Sequence, residues 1–242
     1  MRRAFKLCLA IAIMAASGYG FYWVNEHTRL TERLWDHPGP DASRATAWAE
    51  LKTRGLEPGS PVFIRVFKQS AELEVWLEGR RGWELFRTIP VCNYSGRLGP
   101  KLKEGDRQAP EGFYTVTRAQ MNPNSRHHLS FNLGFPNRYD RSHGRTGSFL
   151  MVHGGCSSIG CYAIRDHEVE VVYRLMEAAF DKGQREVAVH AFPFRLDTAA
   201  LEQRKGQKWY RFWAMLKPGY DKFEQQRRLP QVMVANKSYV VN

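Results

Sequence analysis

His153-Gly-Gly-Cys156-Ser-Ser-Ile-Gly160-Cys161 places one histidine and two cysteines within nine residues, with three glycines between them. Three chemistries suit such a set: a thiolate nucleophile with a histidine base, a bound metal, or a disulfide. The glycines require a tight turn or a close backbone approach. In the nucleophile reading Cys161 attacks an acyl carbon, His153 takes the thiol proton, and the backbone N–H groups of Gly160 and Cys161 face the developing oxyanion. The competing readings are a structural Cys156–Cys161 disulfide, zinc held by His153, Cys156 and Cys161 with His143, and inert buried thiols. Neither C-x-x-C nor H-x-x-x-H spacing accompanies the zinc reading.

The apolar run Ser148-Phe149-Leu150-Met151-Val152 leads into His153 and predicts a buried strand ending at that residue. Strand-like segments are expected at 62–67, 72–77, 83–89, 113–116 and 186–191, separated by Gly-rich or polar turns. Helical periodicity occurs once in this region: His167 to Phe180 carries Val171, Leu175, Met176 and Ala179 on one face, with Gly183 as the stop. The pattern is a β-rich α+β unit over 59–194. Residues 25–58 read as a helical lead-in, broken at Pro38-Gly39-Pro40, with Asp41 or Ser43 capping a second helix that stops near Gly55. Residues 195–242 read as an aromatic extension packed on the sheet. Its Trp209–Leu216 helix is expected to end at Lys217-Pro218-Gly219, and a final hairpin is expected at 232–234 and 239–241.

The 242 residues carry a formal charge of +12. Arg2, Arg3 and Lys6 precede the apolar stretch Leu7 to Val24, so residues 1–24 read as a cleaved leader or a retained inner-membrane anchor. Either form exports the rest of the chain, which argues against a nucleic-acid partner. The remaining positive charge favours an anionic envelope partner such as carboxylate-rich cell wall. Beyond the leader stand Cys92, Cys156 and Cys161, an odd number that leaves at least one free thiol. Cys92 is expected to be buried after a strand end, Cys156 to fill the loop as a small residue, and His128 and His143 to be surface or structural. Arg145, Lys101 and Arg97 are candidates for binding a substrate carboxylate.

At these residues the chain resembles the YkuD-type L,D-transpeptidase domain family. More narrowly, it resembles the divergent branch that includes the diaminopimelate–protein amidase, which detaches lipoprotein from peptidoglycan. The usual pattern is His, a long spacer, then Ser/Thr-His-Gly-Cys. Here Ser158-Ile159-Gly160-Cys161 fills the last four places, with Ile159 where the second histidine stands, and the spacer is short. Segments 98–114, 128–137, 145–148 and 209–224 also resemble the family. The resemblance implies a YkuD-type β-sandwich or barrel-like fold, with Cys161 as nucleophile and His153 as base and then acid. Ser158 would supply a supporting hydrogen bond. It further implies peptidoglycan stem peptides as partners, with or without an attached lipoprotein, and an enzyme that needs neither metal nor cofactor. The alternative from a different class is a non-catalytic peptidoglycan-binding scaffold whose cysteines are structural.

Overall fold

The structure, a computed structural model, describes residues 40–242. The leader and the first half of the lead-in lie outside the described residues. Among the described residues no helix is long and apolar enough to cross a membrane.

In chain order the elements are α1 (Pro40–Thr53), β1 (Val62–Phe67), β2 (Glu72–Gly79), β3 (Gly82–Pro90), β4 (Asn93–Tyr94), β5 (Gly112–Thr117), β6 (Met121–Ser125), β7 (His128–Asn132), α2 (Arg138–Ser142), β8 (Met151–His153), β9 (Tyr162–Ala163), α3 (Asp166–Asp181), β10 (Glu186–Phe192), α4 (Thr198–Glu202), α5 (Tyr210–Gln226), β11 (Val232–Ala235) and β12 (Ser238–Val241). They form two five-stranded sheets and a terminal hairpin. The first sheet runs β3-β2-β1-β10-β5 and the second β4-β9-β8-β7-β6. Each sheet is antiparallel except for one parallel pair, β1 with β10 and β8 with β9. The β-rich α+β class expected from the sequence is the observed one.

Every residue of β1 is buried, because the first sheet is covered on both faces. Ile64 and Val66 join Val75, Val116 and Val189 in a core shared with α3 (Val172, Leu175, Met176) and with Phe131, Val152 and Tyr162 of the second sheet. Strand alternation turns Phe63, Arg65 and Phe67 to the opposite face. There Phe67 packs in the cluster that holds Phe212, Trp213, Leu216 and Tyr220 of α5, and Phe63 packs on Phe223. Arg65, 2% exposed, is clamped by Glu74 at 2.6 Å and by Glu224 of α5 at 2.6 Å.

The α5 helix corrects the sequence reading. It runs through Pro218 to Gln226 instead of ending there. Proline costs a helix one hydrogen bond and some crowding at the preceding turn. The buried face Leu216, Gly219, Tyr220 and Phe223 continues past it and offsets that cost. Gly219 must lack a side chain, because a Cβ there would lie 2.7 Å from the Phe113 ring. The short strands β4, β6, β7 and β9 and the helices α2 and α4 were not expected.

Lys68 and Glu111 form a buried ion pair at 3.0 Å, with neither side chain exposed. Lys68 Nζ also donates to the carbonyls of Arg97, Gly99 and Ala109. Glu111 accepts from Gly99 N–H at 2.7 Å and from Trp213 Nε1–H at 2.9 Å. Breaking a buried pair by removing one charge costs about 3–5 kcal/mol. Glu111→Gln should therefore lower the urea unfolding midpoint by that equivalent without changing the slope. A midpoint equal to that of the parent would show that the pair stabilises nothing.

Candidate active site

β8 ends at His153 and β9 begins at Tyr162, and the two strands pair in parallel with Val152 opposite Tyr162. Parallel neighbours are usually joined by a dozen or more residues. Here residues 154–161 make the return. The chain achieves this with a run of left-handed backbone at Gly155 (φ 81°), Cys156 (φ 47°) and Gly160 (φ 128°). Gly154 passes so close to its neighbours that a Cβ would lie 2.8 Å from His127 O and 2.5 Å from Asp166 Oδ1. The glycines of the motif thus serve a strand return as well as a turn.

This register brings Cys161 and His153 to one cavity. Cys161 lies one step before the Val152–Tyr162 pair, beside Met151, whose N–H donates to Cys161 Sγ at 3.4 Å. Met151 and His153 share a strand face by the two-residue period. All three line one cavity of about 800 Å³ with Asn93, Asn122, Asn124, Arg126 and His127. Phe149 and Ile159, 72% and 81% exposed, form its apolar rim.

His153 is buried and its Nδ1 donates to Gly154 O at 2.6 Å. A carbonyl only accepts, so the neutral ring carries its proton on Nδ1 and leaves Nε2 as an acceptor. Burial pulls the His153 pKa below the ordinary imidazole value, the bond to Gly154 opposes this, and His127, stacked at 4.6 Å, adds to it. Burial pushes the Cys161 thiol above its ordinary value, against the Met151 N–H and the field of Lys101. Both shifts favour the uncharged forms, a thiol on Cys161 and a neutral imidazole on His153.

Cys161 is free, and Cys92 and Cys156 form a disulfide. This removes the Cys156–Cys161 disulfide and the zinc set containing Cys156. It also corrects two expectations. Cys92 is exposed rather than buried, and Cys156 is a cross-link rather than a small filler. The bond fastens the return loop to the segment between β3 and β4. Ser158 holds the other end: its hydroxyl donates to Cys161 O at 2.7 Å and accepts from Gly160 N–H at 3.2 Å, while Ser95 donates to Ser158 O at 2.9 Å. The Gly160 N–H, expected to face an oxyanion, is thus engaged within the turn.

The cations singled out from the sequence are not brought to the cavity. Lys101 is buried and bound to Asp106 at 2.5 Å. Arg145 is buried, bound to Asp140 at 2.7 Å and laid over the rings of Tyr139 and Phe212. Arg97 is exposed and outside the cavity lining. His128 bonds Glu170 at 2.9 Å and His143 bonds Tyr139 O at 3.0 Å. Sequence reasoning missed Arg126 and His127. Their only trace was the basic run Arg126-His127-His128 between two unrecognised strands.

No protein-family model matches the chain. It is 44% identical over 184 residues to "Putative L,D-transpeptidase YafK" of Escherichia coli K12, covering 76% of this chain and 75% of that protein. The Escherichia coli O157:H7 protein of the same name matches equally. Among solved structures the chain is similar to the helical cell shape determining protein Pgp2 of Campylobacter jejuni, at 18% identity and a TM-score of 0.44 over 78% of this chain and 80% of that one. It is also similar to Mycobacterium tuberculosis L,D-transpeptidase 1, at 17% identity and a TM-score of 0.30 over 56% and 64%.

Two outcomes are expected of the thiols. Alkylation of Cys161 should be slow at neutral pH and accelerate into the alkaline range, since the folded-state thiol ionises above its ordinary value. A plateau already reached near pH 7 in a mass-mapped labelling series would contradict this. The paired Cys92→Ser and Cys156→Ser variant, which reopens a loop closed across a separation of 64 residues, should lose about 2–4 kcal/mol of stability. Thermal unfolding without reductant measures this.

Proposed function

The chain belongs to the YkuD-type L,D-transpeptidase family, and from that premise we propose that it is an exported cell-envelope enzyme. In this reading it cleaves or exchanges the amide bond at diaminopimelate in peptidoglycan stem peptides, including stems that carry a linked lipoprotein. The observation that carries the reading is a free Cys161 sharing a cavity with a His153 whose Nε2 is left as an acceptor. Residues 1–24 supply the export signal, cleaved or retained at the inner membrane.

The chemistry follows from the neutral pair. His153 Nε2 takes the Cys161 thiol proton as Sγ bonds to the amide carbonyl carbon. The negative charge collects on the carbonyl oxygen, and the Cys161 N–H, carried by the same residue as Sγ, is the donor assigned to it. Collapse breaks the C–N bond, and the imidazolium returns its proton to the leaving amine. The Nδ1–H bond to Gly154 O steadies the imidazolium formed on the way. The Cys161 thioester is then opened by water or by an incoming amine, whose proton passes to His153. The short spacing of the motif resembles the amidase branch and favours water as the acceptor. The scaffold alternative needs all three cysteines tied off, whereas Cys161 is free.

Purified protein incubated with diaminopimelate-containing muropeptides, with and without attached lipoprotein, should release products identifiable by mass spectrometry. Cys161→Ala should reduce turnover to background with an unchanged unfolding curve, and His153→Ala should reduce it roughly 10²–10⁴-fold. Full turnover by Cys161→Ala would defeat the proposal.

A further inference from the structure

The β6–β7 hairpin closes between Ser125 and His128, which leaves Arg126 and His127 as its two-residue tip. That tip is fastened to the catalytic strand. The Gly154 N–H donates to His127 O at 3.1 Å, and the His127 ring stacks on His153. Arg126 is therefore carried on a support fixed relative to the base. It is the one Lys or Arg among the described residues lining the cavity, and no Asp or Glu lines it. Arg126 is exposed, and among the described residues it has no ion-pair or hydrogen-bond partner. Asn122 lies on the same wall. Its Oδ1 accepts from Asn124 N–H at 3.1 Å, which leaves its amide N–H groups as the donating end. The other cations considered, Lys101 and Arg145, are consumed by Asp106 and Asp140.

An unpaired guanidinium on a wall of amides, with no carboxylate of its own, is complementary to a planar anion. We propose that Arg126 binds a substrate carboxylate, assisted by the Asn122 amide, and so selects the substrate presented to Cys161. With the diaminopimelate reading above, on which this rests, the ligand is the free carboxylate on the diaminopimelate side chain. That group remains charged while the other end of the residue is acylated onto Cys161. The guanidinium makes and breaks no covalent bond, so Arg126 is a specificity residue rather than part of the proton relay.

The test is direct binding to the Cys161→Ala protein, which separates recognition from turnover. The probes are two stem tetrapeptides, one with the diaminopimelate side-chain carboxylate free and one with it converted to the carboxamide. A charge-assisted hydrogen-bonded contact corresponds to about ten- to a hundredfold in Kd. The Cys161→Ala protein should prefer the acid by that factor. Adding Arg126→Gln should remove the preference by weakening the acid alone, and Arg126→Lys should restore part of it. Because Arg126 is exposed and unpartnered, the unfolding temperature should not move. Equal binding of acid and amide, or a preference that survives Arg126→Gln, overturns the inference. If the preference is found and lost as described while the unmodified protein releases no product from muropeptides, the proposed reaction fails and the carboxylate site stands.

Discussion

The buried Lys68–Glu111 pair is the constraint from which the site's geometry follows. A cation without exposure is tolerated only when its charge and its donors are both answered. Burial lowers the Lys68 pKa and Glu111 opposes that shift. Three carbonyls complete the coordination, and all lie in the segment from 97 to 109 that connects β4 to β5. That long connection is thereby moulded around the end of β1. It then becomes the wall on which the catalytic loop rests. Pro110 O accepts from the Tyr162 hydroxyl, and Ser95 donates to Ser158 O. Glu111 also bonds Trp213, so one charge ties the C-terminal α5 helix to the segment on which that loop rests. Within this arrangement the C-terminal helix is part of the support of the site.

The His-Cys spacing is a solution to a strand-return problem. Two parallel neighbours joined by so short a link need backbone conformations that side chains resist. The chain supplies glycine at two such positions, 155 and 160, and holds the non-glycine one, Cys156, by a covalent bond. The same return delivers Cys161 to the flank of Met151, two residues from His153. The family's usual long spacer and second histidine are thus replaced by a compact loop. Its rigidity comes from a disulfide, from Ser158 and from the Asp166 carboxylate, which accepts from Gly155 N–H. Ile159, in the place of the second histidine, is turned outward and forms the cavity rim.

What was legible in the sequence is what local periodicity encodes. Strands β2, β3, β5 and β10 and helix α3 carry patterns long enough to be read, β1 is an apolar run interrupted only by Arg65, and the proposed nucleophile and base stand in one continuous motif. Strands of two to five residues, such as β4, β6, β7 and β9, carry too few repeats. Continuation of α5 past Pro218 depends on a hydrophobic face whose partners, Phe63 and Phe67, are about 150 residues away in sequence. The same holds for charge. Lys101 and Arg145 look like available cations until Asp106 and Asp140 are placed beside them, whereas Arg126 looks ordinary until a hairpin sets it against the cavity. Pairing of Cys92 with Cys156 is likewise a tertiary fact, since connectivity cannot be deduced from spacing.

The disulfide also bears on how Cys161, the proposed nucleophile, survives in the thiol form. Cys156 stands five residues from Cys161, and a free thiol there would be a standing partner for oxidation. Pairing it with Cys92 removes that competitor and leaves one reactive sulfur in the described structure. The second safeguard is electrostatic. Oxidation and thiol–disulfide exchange both proceed through the thiolate, and burial holds the Cys161 thiol protonated at neutral pH. The cost is a nucleophile that is weak until a base accepts its proton. His153, favoured in its neutral form by burial and bonded through Nδ1 to Gly154 O, is the proposed acceptor. In the proposed reaction, burial thus disfavours the free thiolate and makes its formation depend on proton transfer to His153.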